Sequence, residues 1–557
     1  MNREYDVIVI GSGFGGPAAA KKCAAAGLKT LMIERAENPG EKIVSGLTIP
    51  FHGFLFGPDF IRDGNPPIER PQDGVINYII KDIDKGDIDI DDSLMMPKPL
   101  SPIFVFGYNA YCKPFCEWEA RQAVESGVEL LTSTTVIDLI KEEGCVKGVV
   151  LESGEKIRSK IVIDAEGSQG WLAVKAGIRE KYPPEAISLA DTYDYEIPKE
   201  DLDRIFGFSL RFCWGWDEQE IAPPLGRGNG LMVWPYRNSI HFMQDQCLRM
   251  DQGEVPDLKN LFVKYHDNIT KKLPWWQEEI EPRIKLRART WQGFEIFVGL
   301  DEKLRNMPNH TDGMILIGDA AGLENTELCD GVPYAWFSAD IAADVAIAAI
   351  KAGDTSKAFL KKYENRIKAH PLIQWAISAS NRFNLREAQK THDEKLLKKL
   401  IHNGWGLGVM SHFATPFVKV MLAEIRKNPL VIKKWVKMFF RYYHNWHNER
   451  FDYHSPPDGH KPRKRSFGER IFRFFAKISG LLFVLSSPVT WVLAVLFTPL
   501  TGLVNPLVKF FLLFERVFLW INKKLEPFTG WLSKKITAFV ARIDPSIFEE
   551  KSQPGRK

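Results

Sequence analysis

Seven cysteines in 557 residues, an odd number with no C-x-x-C pair, are too few and too scattered for a disulfide framework or a four-cysteine iron–sulfur centre. They read as reduced thiols of a cytoplasmic compartment. A charge surplus is also missing. Lys and Arg number 74 against 70 Asp and Glu, a net charge of +4, which gives no case for a nucleic-acid partner. No Ser-His-Asp arrangement and no metal-ligand spacing stands out, so the side chains alone suggest neither hydrolysis nor a metal site. No secretory signal is expected, because the apolar N-terminus reads as a strand followed at once by glycines. The largest local absence is of charge. From Ile478 to Val508 there is none at all, between Lys477 and Lys509 and after the basic run 461–477. Ordinary domains rarely contain such a stretch.

Tyr5–Ile10 is a β-branched apolar run of the kind buried in parallel sheets. Gly11, Gly13 and Gly16 then fit G-x-G-x-x-G. A helix is expected over Ala18–Ala26, with Pro17 in its first turn and Gly27 at its stop. A second strand, Leu28–Ile33, ends at Glu34. Glycines in the turn permit close backbone approach, a pyrophosphate can sit at the helix N-terminus, and Glu34 can accept from ribose hydroxyls. This motif alone does not separate FAD from NAD.

Two later segments do. A hairpin of Val146–Leu151 and Lys156–Ile163 runs into Asp164-Ala165-Glu166-Gly167-Ser168. Met314–Ile317 runs into Gly318-Asp319-Ala320-Ala321-Gly322, followed by a small-residue helix over Tyr334–Ile350. An acidic residue at a strand end, then glycine and a helix, can bind a ribitol hydroxyl and aim N–H groups at a flavin carbonyl. The three motifs in this order resemble the FAD-binding set of p-hydroxybenzoate-hydroxylase-like flavoproteins. That resemblance implies a Rossmann-like α/β FAD domain carrying an inserted antiparallel β-sheet domain for substrate. A helical C-terminal region and a membrane-associated tail follow from the sequence beyond it.

Finer matches narrow the resemblance. Lys42-Ile43-Val44-Ser45-Gly46 is similar to the loop that lies along the isoalloxazine in electron-transfer-flavoprotein:quinone oxidoreductases. Gly230–Tyr236 with Ser239–Phe242 resembles the substrate-domain strand pair of FixC-type proteins, and 358–369 their Tyr-Glu helix. Geranylgeranyl reductases share the frame, but only the Trp234-Pro235 end of their aromatic signature is here, without its downstream Gly-x-Gly. The chain therefore resembles the FixC, electron-transfer-flavoprotein:quinone oxidoreductase and geranylgeranyl reductase superfamily. The resemblance implies FAD contacts at Gly11, Gly13, Phe14, Gly16, Glu34, Arg35, Ser45, Gly46, Lys113, Val136, Ala165, Gly167, Gly318, Asp319 and Gly322. The family's usual Arg and Asp before the second FAD-contact helix are replaced by Cys112 and Cys116, with Lys113 placed to stand in for the Arg. Four residues apart, the two cysteines would share a helical face as buried thiols, since they lack two ligands for zinc.

The segment 187–295 is expected to form the substrate domain. Its aromatics include Phe206, Trp214, Trp234, Tyr236, Phe242, Trp275 and Trp276, which could be core or an apolar slot for a flat oily headgroup. Trp214, Trp234 and Tyr236 are taken as pocket residues. His241 and Asp245 invite a general-base reading but fit better as polar lining or exterior of the sheet.

Five regions follow: 1–186 and 296–370 for FAD, 187–295 for substrate, 371–454 helical, and 455–557 a basic linker with an apolar tail. Pro488, Pro499 and Pro506 interrupt the tail, and lysines lie on both sides of its apolar core. A single span prefers cationic flanks on one side. A re-entrant segment with interfacial helices on the cytoplasmic face of the cytoplasmic membrane is the expectation, and a single span the alternative. The functional expectation is an FAD enzyme passing electrons from a reduced protein partner (an electron-transfer flavoprotein or ferredoxin-like subunit) to a membrane quinone. Its rivals are saturation of isoprenoid-lipid double bonds and a non-catalytic flavin-binding membrane adaptor.

Overall fold

The computed structural model describes residues 4–41, 47–64, 66–72, 74–82, 87–91, 107–182, 187–206, 209–215, 230–247, 266–267, 270–296, 307–325, 330–379, 407–435, 492–504 and 506–507, with the single positions 263, 438, 531 and 535. The chain divides into two compact units. One comprises Met1–Pro58, Pro66–Met95 and Gly107–His412, the other Asp59–Asn65, Met96–Phe106 and Phe413–Lys557.

The first unit is built on an eight-stranded sheet. Glu4–Ile10 lies at its centre, parallel to Thr30–Ile33 on one side and to Lys156–Asp164 on the other. Its side chains from Val7 to Val9 are wholly buried, as expected of a strand covered on both faces. The chain winds first towards Thr30–Ile33 and Glu129–Leu131, then crosses to Lys156–Asp164 and Met314–Leu316. Such a reversal opens a crevice at the carboxyl ends of the strands, where ligands of open α/β sheets bind. The register places Ile10 level with Ile33 and Asp164, and Asp164 level with Leu316. The expected hairpin is present as Cys145–Leu151 antiparallel to Lys156–Asp164. The glycine-turn helix runs over Gly15–Ala25, and Gly27 closes it at φ 83°. Small residues let this helix approach the long helix Val332–Ala352. A Cβ on Gly15 would come within 3.4 Å of the Ala335 carbonyl oxygen.

A second, seven-stranded sheet runs in the order Lys285–Ile296, Ile187–Glu196, Ser239–Cys247, Gly230–Pro235, Ser209–Gly215, Gly74–Asp82, Asp87–Asp91. Its pairs are antiparallel except Ser209–Gly215 with Gly74–Asp82. One face packs Tyr193, Tyr195, Val233, Ile240 and Phe242 against Phe206, Leu273, Trp276 and Ile280. Phe206, Phe242 and Trp276, which the sequence left open between core and slot, are thus core. Tyr193, Tyr195, Phe242, Trp276 and His266 interlock with centroid separations of 3.9–6.2 Å, the offset and edge contacts that aromatic rings prefer.

In the second unit, Leu407–Lys427 is helical and carries Pro416 inside it. A further turn of helix precedes the 3₁₀ segment Thr498–Leu503. Among the described residues, no helix is long and apolar enough to cross a membrane.

Candidate flavin site

The four strand ends of the parallel sheet bring the separated motifs together. Gly11 follows Ile10 at φ 95°, a conformation that L side chains rarely adopt, and a Cβ there would meet the Ala165 carbonyl oxygen at 2.4 Å. A Cβ on Gly16 would lie 1.9 Å from the Gly11 carbonyl oxygen. Both positions admit only glycine without movement of the backbone, so the turn lies directly on the helix start. Glu34 is buried at the next strand end. Its Oε2 accepts from the Ser12 amide and hydroxyl, both at 2.9 Å, and its Oε1 from the Ala36 amide at 2.9 Å. It therefore pins the glycine turn as well as offering lone pairs to a ribose. Ser12 was not foreseen as its partner. The segment Ser133–Thr134 ties back to the Ala36 and Glu34 carbonyls, which brings Val136 to this edge. Arg35 is exposed, its Nη1 donating to Gln169 Oε1 at 2.9 Å.

Across the central strand, the Ala165 amide donates to the Ile10 carbonyl. Asp164 is fully buried; its Oδ1 accepts from the Glu166 amide, and its Oδ2 has no hydrogen-bond partner among the described residues. Burial first, then the charge of Glu166, push its carboxyl well above the carboxylate range. Burial also pushes Glu166 up to about 7. Gly167, at φ 77°, opens a short 3₁₀ turn. Beside it the segment Gly318–Ala321 turns in the same way and ends on Gly322 at φ 67°. Ser338 Oγ accepts from the Gly318 amide, and Tyr182 and Arg179 hold the carbonyls of Ala320 and Ala321. The Asp319 side chain is half-buried, and that burial pushes its carboxyl up to about 6. Asp330, buried just before the long helix, is pushed well above its ordinary range by burial and then partly by Asp319.

Other expected contacts fall differently. The Phe14 ring turns into the core, 5.7 Å from Phe115 and 6.3 Å from Trp336, which leaves its backbone to face a ligand. Lys113 stands at the start of helix Cys112–Val124 beside Gly40, with Nζ 4.0 Å from Glu117. Cys112 and Cys116 are both fully buried on that helix, and burial pushes the Cys116 thiol well above its ordinary value. Inert thiols, as the spacing suggests, are what the packing provides. Ser45 and Gly46, the residues expected along the isoalloxazine, lie outside the described residues, and so does the side chain of Trp214. Gly13 stays in the turn between Ser12 and Phe14.

The face of the second sheet opposite its core carries a cluster that sequence reasoning did not assemble. Tyr236 stacks on Tyr111 at 4.6 Å and packs against His241 at 4.3 Å. His241 was expected to be lining or exterior. It is buried instead, with Nε2 3.1 Å from Asp194 Oδ1. Arg287 Nη2 donates to both Asp194 and Tyr111 Oη. Burial raises Asp194, but His241 and Arg287 outweigh it and hold the carboxylate below its usual range. Asn109 Nδ2 donates to the Pro235 carbonyl, and Arg70 Nη1 to the Tyr236 carbonyl. Asn109 and Arg70 belong to the three-stranded sheet of Leu47–Pro50, Gly107–Ala110 and Arg70–Gln72. That sheet begins where the expected ring-facing loop ends. The Trp234 Nε1 and Tyr236 Oη atoms are buried and have no hydrogen-bond partner among the described residues.

The glycine turn closed to a Cβ at Gly11 and Gly16, the acidic strand ends and the half-buried Asp319 suit FAD: Glu34 would meet the ribose, the Gly11–Gly16 turn the pyrophosphate and Asp319 the ribitol. A profile of the FAD dependent oxidoreductase family matches residues 6–225. Digeranylgeranylglycerophospholipid reductase of Methanocaldococcus jannaschii is 29% identical over 381 residues, covering 66% of this chain and 83% of that protein. Protein FixC of Azorhizobium caulinodans is 28% identical over 353 residues, covering 62% and 76%. A geranylgeranyl bacteriochlorophyll reductase-like structure from Thermoplasma acidophilum superposes with a TM-score of 0.59 at 21% identity, covering 79% of this chain and all of that one, a likeness of fold. Fold and site together define an enzyme with FAD as its redox group. These likenesses support a place for the chain among the FAD-dependent oxidoreductases that include the FixC proteins and the geranylgeranyl reductases.

Proposed function

We propose that this enzyme passes an electron pair from a reduced protein partner to an isoprenoid quinone dissolved in the membrane. FAD, when bound, supplies reversible storage of two electrons. The residues of this chain bind it, exclude water and orient the acceptor.

The observation that carries the quinone reading is the pair of buried donors on the second sheet. Trp234 Nε1 and Tyr236 Oη have no acceptor among the described residues. A buried donor left unpaired costs about 1–3 kcal/mol, so such atoms are kept where a ligand completes them. A quinone carbonyl is such a ligand, and an alkene carbon is not. The charge-free run 478–508 supports an acceptor dissolved in lipid. A second reading, reduction of prenyl double bonds on a lipid, is supported by the similarity to a protein named digeranylgeranylglycerophospholipid reductase.

Trp234→Phe and Tyr236→Phe, assayed anaerobically with the flavin pre-reduced, test the choice. On the quinone reading each raises KM for a short-chain quinone about tenfold, the equivalent of one hydrogen bond to a ligand. Thermal stability is unchanged or rises, because an unpaired donor has gone. A wild-type quinone KM in both variants refutes the role of these donors, and turnover of a geranylgeranyl lipid but of no quinone moves the assignment to the second reading.

A further inference from the structure

In the second unit, Val492–Leu507 is packed the wrong way round for water. Its inward positions are small or hydroxylated: Ala494 is 2% exposed and Thr501 5%. Its outward positions are large and apolar: Leu496 is 61% exposed, Phe497 53%, Leu500 50%, Leu503 57% and Leu507 54%, with Val492 and Leu493 beside them. A segment facing water sorts its side chains the other way, large apolar in and polar out. The hydroxyls here are spent on backbone. Thr498 Oγ1 donates to the Ala494 carbonyl at 2.7 Å, Thr501 Oγ1 to the Thr498 carbonyl at 2.9 Å, and Thr415 Oγ1, on helix Leu407–Lys427, to the Thr501 carbonyl at 3.1 Å. Each of these threonine hydroxyl hydrogens therefore has a backbone acceptor, as a hydrocarbon surrounding requires of donors.

Cations flank the apolar stretch in the sequence. Lys477 and Lys509 bound the charge-free run in the sequence, and helix Leu407–Lys427 ends in Arg426 and Lys427. Trp531 is 54% exposed, with Lys535 Nζ 5.9 Å from its ring centroid. Amphipathic rings paired with lysine suit the headgroup level. From Val492 to Leu503 the helical and 3₁₀ turns rise about 20 Å, less than the ~30 Å hydrocarbon core of a bilayer.

We infer that Val492–Leu507 inserts into one leaflet of an anionic bilayer, with Leu496, Phe497, Leu500 and Leu503 among the acyl chains. The inference deepens the proposed function and rests on its lipid-dissolved acceptor. The full-length protein is floated with vesicles of phosphatidylcholine containing about a quarter phosphatidylglycerol. The triple substitution Leu496→Glu, Phe497→Glu, Leu500→Glu is expected to lower vesicle partition at least about tenfold, since each charge must be drawn into hydrocarbon. It should retain bound flavin and the reduction of a water-soluble short-chain quinone. Val124→Glu, on an apolar residue exposed in the first unit, should float as wild type does. If the triple variant loses flavin, Leu500→Glu against Leu500→Met decides, the first expected to bind vesicles weakly and the second normally. Undiminished flotation of the glutamate variants overturns the inference. So does a wild-type protein that ignores vesicles but is a dimer these substitutions split, which would make a second copy the occupant. A wild-type protein that floats as expected yet reduces no quinone supports the lipid surface and sinks the acceptor assignment instead.

Discussion

Gly16→Ala is the sharpest test of the flavin cradle, because it adds one methyl group and changes neither charge nor polarity. Gly16 lies in the first turn of the helix Gly15–Ala25, and its Cβ would stand 1.9 Å from the Gly11 carbonyl oxygen. Ordinary van der Waals contact begins at 3.4 Å, so the glycine turn must retreat by about 1.5 Å. The atom met is backbone, which no rotamer change can remove. A retreat of that size takes the turn's N–H groups out of hydrogen-bond range of a pyrophosphate. Losing one charge-assisted hydrogen bond costs about 2 kcal/mol, or about 30-fold in FAD affinity. The assay is fluorescence titration of deflavinated protein with FAD, alongside melting temperatures with and without the cofactor. Gly27→Ala is the control. Gly27 has φ 83°, and a Cβ added there would meet nothing within 4 Å, so alanine strains the helix stop by about 1 kcal/mol without touching the cradle. Expected, then, are weakened FAD binding in the first variant and lowered stability with normal FAD binding in the second. Native FAD affinity in Gly16→Ala would refute the argument that this turn carries the pyrophosphate.

Three further outcomes are expected. FAD affinity should fall with acidity through Asp319. Burial raises this carboxyl to about 6 from an ordinary 3.8, and its ionised form is the stronger acceptor for a ribitol hydroxyl. One proton is then released on binding below pH 6, so Kd should weaken up to about tenfold per pH unit there and stay flat above, with Asp319→Asn flat throughout. Glu119 is fully buried, burial pushes its carboxyl well above the usual range, and its Oε1 accepts from Trp336 Nε1 at 2.7 Å. A raised carboxyl pKa makes its contribution to stability fall as pH rises beyond the unfolded value. Glu119→Gln, which keeps the acceptor and cannot ionise, should therefore melt higher than wild type at alkaline pH and about equally near pH 4. Asp194→Asn removes the carboxylate that His241 and Arg287 share. It should lower the melting temperature by several degrees, consistent with about 2 kcal/mol for a part-buried charged cluster, measured by calorimetry.

Much of the cofactor half was legible because its signals are local. Gly11, Gly16 and Glu34 are fixed by a strand, a turn and a helix within one short unit, and Asp319 and Gly322 by another. The sheet register brings them to one level without help from distant side chains. Helix boundaries were read within a few residues for the same reason: Gly27 stops the first helix, and the long helix Val332–Ala352 extends two residues beyond each of its expected limits. What the sequence hid was assembled from far apart. Tyr111, Asp194, Tyr236, His241 and Arg287 meet only when strands distant in the chain pair, and no periodicity marks them. The strands Gly74–Asp82 and Asp87–Asp91 join the second sheet although they precede most of the FAD motifs. Aromatic content did not separate core from pocket either. Phe242 on the sheet's inner face packs with Phe206 and Trp276, while Trp234 and Tyr236, on the other face of the same hairpin, keep donors without a partner among the described residues.

The central claim is that an electron pair held by this protein goes to a quinone headgroup. It is tested most directly by photoreducing the purified enzyme without oxygen, adding a short-chain quinone or a geranylgeranyl lipid separately, and following the flavin absorbance. Rapid return of the yellow form with the quinone and none with the lipid is the predicted result. Return with the geranylgeranyl lipid alone, with its double bonds saturated, would contradict it.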